Sequence, residues 1–178
     1  MGGAERRRIV AGVSGSLSNL AALHVAADEA RRTGAELLAV LAWEPPGGEL
    51  AHRRSVFPSP MADLRHDAGE RLLAALRTAF GDTGPGVPFQ GVVARGAAGR
   101  ALVETADRAD DFLVIGAGCR GRVRRALFPS VARYCVAHAA CPVLAVPPSP
   151  LESELASVHR RVSLRLPLDA RELTDGRS

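Results

Sequence analysis

Apolar residues along this chain form two kinds of pattern: short continuous runs, and stripes that repeat every three or four positions. Continuous runs between turn residues are typical of buried strands, and stripes are typical of amphipathic helices. The runs predict five strands, over residues 8–13, 35–43 and 87–95, up to Ile115, and over residues 142–146. Because helical stripes separate these strands, the pattern indicates an α/β fold with a parallel sheet covered on both faces.

The clearest helix prediction covers residues 61–80, where an apolar residue recurs every four positions. Three more helices are predicted, from Ser18 or Asn19 up to Gly34, over residues 100–108 and over residues 130–139. A surface loop containing four prolines is predicted over residues 44–60. Parallel strands joined in this way require helical crossovers, which are right-handed.

The chain is predicted to fold as one domain over residues 1–147, followed by a tail over residues 148–178. Prolines end the last strand, and the tail then carries an apolar stripe with helical spacing and a run of alternating leucines. The stripe consists of Leu151, Leu155, Val158 and Val162. We interpret the tail as a short amphipathic helix followed by an extended or disordered segment. It either docks on the domain or a partner, or it frays at the chain end.

Composition narrows the protein class. The chain has 178 residues, of which 47% are hydrophobic and only 4% aromatic, so alanine, valine and leucine must form the core. It contains no apolar run near the roughly 20 residues of a membrane span and no apolar signal core after its first arginines. Its three cysteines, Cys119, Cys135 and Cys141, are an odd number that suits a reducing compartment. These features favour a cytoplasmic protein that does not bind a membrane.

Charge favours a small anion over nucleic acid as the partner. The formal net charge is +4, and all 23 basic residues are arginines. The densest basic cluster consists of Arg120, Arg122, Arg124 and Arg125. No aromatic residue interleaves this cluster, whereas single-stranded nucleic acids are bound by basic grooves with aromatic stacking platforms. We therefore interpret the cluster as a solvated or phosphate-adjacent loop.

A glycine-rich loop follows the fourth predicted strand. Gly116, Gly118 and Gly121 come directly after the apolar run that ends at Ile115, and Ser130 then begins a helix. In parallel sheets, ligands bind at the carboxyl ends of the strands, and glycines let backbone N–H groups approach an anion closely. The loop is either a phosphate-binding loop or only a tight strand-to-helix turn. Ser130 is predicted to cap its helix whether or not it also contacts phosphate.

Three stretches of this pattern resemble the universal stress protein family. They are the strand and loop 9–16 with 18–23, the segment 93–96 leading into Ala101 and Leu102, and the segments 115–131 and 141–147. The resemblance covers about residues 8–147. It implies a Rossmann-like open sheet of strand order 3-2-1-4-5, related to the adenine nucleotide alpha hydrolases. It also implies a non-catalytic stress-response protein that binds adenine nucleotide, such as ATP with Mg²⁺, and forms homodimers.

The resemblance also supplies candidate site residues. The nucleotide-binding candidates are Gly12, Val13, Ser14, Ser16, Ala42, Trp43, Gly116, Gly118, Cys119, Arg120, Gly121, Pro129, Ser130 and Val131. The dimer-interface candidates are the residues of the last strand, Pro142, Val143, Leu144, Ala145 and Val146. Pairing of two last strands across a two-fold axis would remove an aggregation-prone edge.

The chain departs from the nucleotide-binding pattern of the family it resembles. Family members that bind ATP carry Gly, two residues, Gly, nine residues, then Gly before Ser or Thr. Here Gly116 keeps the first glycine and Ser130 keeps the hydroxyl, but Cys119 and Pro129 replace the other two glycines. Ser14 stands where the family usually has an aspartate. These changes predict altered or weakened ATP binding, which the neighbouring arginines can partly restore through phosphate contacts.

Three functions remain open at this point. The leading hypothesis is a non-catalytic binding and signalling module, and the second is a partner-binding protein of the same fold that has lost its nucleotide. The third is an ATP-hydrolysing or pyrophosphatase-type enzyme. Residues Ser14–Ser18 of this chain faintly resemble the serine- and glycine-rich opening loop of that enzyme class. A Walker-type loop is excluded because the chain has no lysine. The histidines show no metal-ligand spacing, and Cys119 is either an oxidant sensor or an incidental small residue.

Overall fold

The computed structural model describes residues 6–14, 17–48, 52, 54, 60–117 and 130–147. The strands with described bounds are β1 (Arg8–Val13), β2 (Glu36–Trp43), β3 (Phe89–Arg95), β4 (Phe112–Gly116) and β5 (Val143–Val146). The helices with described bounds are α1 (Leu17–Thr33), α2 (Met61–Phe80), α3 (Ala98–Thr105) and α4 (Val131–His138), with a 3₁₀ turn at Gly81–Thr83 after α2. None of these helices is both long and apolar enough to cross a membrane.

The five strands form one parallel sheet in the order β3-β2-β1-β4-β5. This order confirms the predicted topology. The chain runs outward from β1 to β3, returns to the other side of β1 at β4, and ends at the edge strand β5. The strand order therefore reverses between β1 and β4, and ligands in open α/β sheets bind at this switch point.

Helices cover both faces of the sheet, as predicted. Alternate residues of a strand point to opposite faces. Ile9 and Ala11 of β1 pack in the core under α1 and α2, whereas Val10 packs in a second core under α3 and α4. Alanines line the buried face of α1 and let it lie close to the sheet, in keeping with the low aromatic content: Ala22, Ala26, Ala27 and Ala30.

Some predicted element bounds are wrong. The helix predicted over residues 100–108 lies at Ala98–Thr105. It ends early because Arg108 belongs to a turn in which its backbone N–H donates to the Asp111 carboxylate at 3.1 Å and its carbonyl accepts from the Asp111 N–H. The third strand begins at Phe89 instead of residue 87, and in the predicted loop 44–60 the described residues 48, 52 and 54 are helical.

A buried ion pair joins β1 to the segment before β4. The Asp111 side chain is fully buried, and it accepts two hydrogen bonds from Arg8, from Nε at 2.9 Å and from Nη2 at 2.6 Å. The bidentate contact raises the pKa of Arg8, so its guanidinium stays charged. Because these residues lie where β1 and β4 begin, the pair stabilises the amino edge of the sheet, opposite the candidate site.

Candidate functional site

The candidate residues at the strand ends lie along one edge of the sheet. Ala11 is in register with Val114, so two further residues along each strand bring Val13 level with Gly116. On the other side of β1, Val13 is in register with Leu41, so β2 extends two residues further, through Ala42 to Trp43. The carboxyl ends of β1, β2 and β4 therefore lie side by side at one edge of the sheet.

On the carboxyl side of β4 the described chain extends to Ala117, and it resumes at Ser130, directly before helix α4. The N–H of Ala117 donates to the Val146 carbonyl at 2.7 Å, which continues the pairing of β4 with β5 by one residue. Several candidate residues lie outside the described residues: Ser16, Gly118, Cys119, Arg120, Gly121 and Pro129.

Ser130 caps helix α4, as the sequence predicted. Its hydroxyl oxygen accepts a hydrogen bond from the Arg133 N–H at 3.1 Å, and its backbone is extended. The hydroxyl proton remains available for a second bond, because a serine can donate and accept at once. Val131 is the first residue of the helix. The helix N-terminus carries partial positive charge that suits a phosphate oxygen.

Gly12 has a packing role in addition to its place among the candidates. A Cβ on Gly12 would lie 3.0 Å from Leu102 Cδ1 and 3.4 Å from Ile115 Cγ2. Its missing side chain therefore lets α3 approach β1. The family resemblance named Gly12 only as a nucleotide-binding candidate. Its packing role could not be predicted, because the contact with Leu102 of α3 joins residues far apart in the chain.

Trp43 forms one wall of an open groove of about 490 Å³ between the end of β2 and helix α2. Trp43 is 7% exposed, and its carbonyl accepts a hydrogen bond from Gly96 N–H at 2.9 Å. The rest of the groove is lined by Glu44, Pro46, Leu64, Asp67, Glu70 and Arg71. Three carboxylates against one guanidinium make the groove net acidic, which suits hydroxyl and amino groups and opposes phosphate.

The α2 residues of this groove were missed by sequence reasoning. Leu64 belongs to the apolar stripe of α2, whereas Asp67 and Glu70 occupy positions typical of a solvated helix face. No local signal distinguishes such positions from an ordinary exposed face. Their proximity to Trp43 arises only when α2 packs across β2 and β3.

The described cysteines are poorly suited to nucleophilic chemistry. Burial raises the pKa of the Cys135 thiol to about 11 and also raises the pKa of Cys141. Both thiols are therefore protonated near neutral pH, and the thiolate is the reactive form. Among the described residues, no group of three or more His, Cys, Asp or Glu side chains could hold a metal ion.

The predicted dimer strand, β5, is the last strand of the sheet. Its Leu144 is in register with Val114, which places the Leu144 side chain on the α1 face, and that side chain is 38% exposed. Ala145 and Pro142 are exposed, Val143 is half-buried and Val146 is buried. An apolar residue at a sheet edge marks a surface that a partner strand can cover.

Comparison with known proteins places this geometry in a family. The universal stress protein family model matches residues 5–147. A crystal structure of a universal stress protein in complex with cAMP is 29% identical, with a TM-score of 0.62, and the match covers 81% of this chain and 99% of that one. No curated protein matches the chain.

Two further solved structures share the fold at lower identity. The universal stress protein from Archaeoglobus fulgidus in complex with dAMP is 23% identical, with a TM-score of 0.56 and coverage of 79% of this chain and 97% of that one. A protein of the universal stress protein family from Burkholderia pseudomallei is 21% identical, with a TM-score of 0.53 and coverage of 82% and 99%.

Proposed function

This chain belongs to the universal stress protein family, and we propose that it is a non-catalytic signalling module that binds an adenine nucleotide. The observation that carries the proposal is the convergence of the carboxyl ends of β1, β2 and β4 at the switch point of strand order. The family relative in complex with cAMP and the fold relative in complex with dAMP support an adenine nucleotide as the ligand.

The charges of the site suggest how the nucleotide lies. Neighbouring strands are about 4.8 Å apart, so the ends of β2 and β4 lie about 10 Å apart across β1. The acidic groove beside Trp43 suits the base and ribose, whose amino and hydroxyl groups donate to carboxylates. The N-terminus of α4 at Ser130 suits the phosphates. We therefore propose that the nucleotide crosses the ends of β2, β1 and β4 in that order.

We expect binding to be weaker than in family members with the full glycine pattern. Ser14 is exposed and supplies no negative charge where the family usually has an aspartate. Cys119 and Pro129 replace two glycines of the pattern, and a proline has no N–H to donate to a phosphate. A weakly held nucleotide suits a signalling role, because occupancy then follows the cellular nucleotide concentration. The free thiols of Cys135 and Cys141 suit a reducing compartment, so we place this role in the cytoplasm.

Nucleotide binding is expected to stabilise the wild-type protein but not a Gly116→Val variant. A ligand at about 100 times its dissociation constant adds about 2.7 kcal/mol to the free energy of unfolding. The valine side chain would stand at the end of β4, where the nucleotide must pass. The measurement is thermal unfolding in a titration of ATP with Mg²⁺, repeated with cAMP and with GTP.

Gly69→Ala is the matched control, because a Cβ at Gly69 in α2 meets nothing within 4 Å. The control should keep the full nucleotide-dependent shift. An equal shift in Gly116→Val would contradict the proposed position of the nucleotide. No shift for the wild-type protein at any concentration would favour the alternative, a partner-binding protein of the same fold without nucleotide. Steady phosphate release would instead identify an ATP-hydrolysing enzyme.

We also propose that two copies pair through their β5 strands. A Leu144→Arg substitution places a charge on the exposed apolar residue of this edge and is expected to shift the protein from dimer to monomer. Light scattering coupled to size-exclusion chromatography measures the change. Leu73→Arg is the control, because Leu73 of α2 is a comparably exposed leucine, 45% against 38%. A Leu144→Arg protein that stays dimeric would show that another surface forms the dimer.

A further inference from the structure

An apolar surface on α4 and β5 lies next to the point where the described part of the chain ends. Val136 is 65% exposed, the highest value among the large hydrophobic residues that the structure describes. Val143 of β5 packs partly against the core under α4, and Ala145, two residues on, lies on the same face and is exposed. We name this surface, formed by Ala132, Val136, Val143 and Ala145, the α4 flank.

Helical geometry places the α4 flank away from α3. Tyr134 packs against Gly99 of α3, and the Cys135 sulfur lies 3.8 Å from the Gly99 carbonyl oxygen. Each residue of a helix is rotated by about 100° from the one before it. Val136 therefore points to the side opposite Tyr134, towards the β5 side of the sheet. The flank is a shallow apolar step between α4 and β5 that α3 does not cover.

The chain continues beyond β5 with a segment that also carries an apolar surface. Residues 151–162 carry four apolar residues at helical spacing, Leu151, Leu155, Val158 and Val162, with charged residues off the stripe. As a helix, twelve residues are about 18 Å long, against about 12 Å for the eight residues of α4. Residues 147–150 can span about 13 Å, which is enough to turn from the end of β5 back along α4.

We propose that residues 151–162 dock as an amphipathic helix on the α4 flank of the same chain. Running back from the carboxyl edge, the segment brings Glu152 and Glu154 near the exposed Arg133 in the first turn of α4. It brings Arg160 and Arg161 near the carbonyl end of α4, which attracts positive charge. The segment is an addition to the family core, since the family match ends at residue 147 and the cAMP-bound relative is covered over 99% of its length.

A double-mutant cycle on the full-length chain tests the docking. Val136→Ser and Leu155→Ser are each expected to raise the unfolding equilibrium constant by about tenfold, because each removes one side of an apolar contact. The two together are expected to raise it by about tenfold as well, since the second substitution finds no contact left to break. Urea unfolding measures all four proteins, and hydrogen exchange of the α4 amides reports whether the flank is covered.

Two control variants and the oligomeric state distinguish docking within one chain from no docking and from docking on a second copy. Ala156→Ser lies off the stripe and should change neither unfolding nor exchange. Leu73→Ser, an exposed leucine on another surface, should combine additively with Leu155→Ser. Additive effects of Val136→Ser and Leu155→Ser would overturn the proposal. A coupling that disappears when the protein is diluted to monomers would also overturn it, and would assign the flank to a second copy.

Discussion

Replacing Asp111 by alanine is expected to lower the free energy of unfolding by about 3–5 kcal/mol. The carboxylate is fully buried and accepts hydrogen bonds from two nitrogens of Arg8 and from the Arg108 backbone N–H. Removing it leaves a guanidinium that is only 23% exposed without its buried partner, and it releases the turn before β4. Urea unfolding followed by circular dichroism at neutral pH measures the loss.

Asp107 supplies the matched control for this prediction. Its carboxylate lies 2.6 Å from the same Arg8 nitrogen, but its side chain is 66% exposed. Water can replace that contact, so Asp107→Ala should leave stability nearly unchanged. Asp111→Asn, which keeps an acceptor and the side-chain shape, should fall between the two. Similar losses for Asp107→Ala and Asp111→Ala would show that burial does not set the strength of this ion pair.

Gly99→Ala is expected to destabilise the protein by about 1–3 kcal/mol, although alanine is the better helix former. The new methyl group would lie 2.9 Å from Tyr134 Cδ1 and 3.0 Å from Tyr134 Cβ. A Cβ atom is fixed to the backbone and cannot rotate away, so α3 and α4 would have to separate. Thermal unfolding and urea unfolding both measure the effect.

Gly69→Ala is also a glycine-to-alanine substitution inside a helix, but here the expected change in stability has the opposite sign. Gly69 lies inside α2, where an added Cβ meets nothing within 4 Å, so the substitution should stabilise the protein by about 0.5–1 kcal/mol. The difference between the two variants isolates the contact between α3 and α4 from helix propensity. A Gly99→Ala protein as stable as the wild type would mean that the two helices can move apart at little cost.

Much of the fold could be predicted from the sequence because its signals are local. The apolar runs of β1 and β2 and the four-residue repeat of α2 each lie within one element, and the structure places all three where they were predicted, to within one residue. The bounds of α3 could not be predicted in this way. Its end depends on the turn that the Asp111 carboxylate organises through Arg108, and that carboxylate is fixed in turn by Arg8.

The candidate site, like the fold, could be predicted from the sequence only where its signals are local. The ends of β1, β2 and β4 were predictable because parallel strands place their carboxyl ends at one edge. The packing of Gly12 against Leu102 and the contribution of Asp67 and Glu70 to the groove were not, because each depends on a contact between distant segments. The apolar runs of the sequence locate the strands whose ends meet at a site, whereas the side walls of the site depend on tertiary packing.

The position of Trp43 gives this protein a natural optical probe. It is the only tryptophan in the 178 residues, and it forms a wall of the groove at the end of β2. Indole emission from this chain therefore originates at a single place, which is shielded from water at 7% exposure. Changes in the polarity or the occupancy of the groove can be followed by fluorescence in the unlabelled wild-type protein, without a background from any other tryptophan.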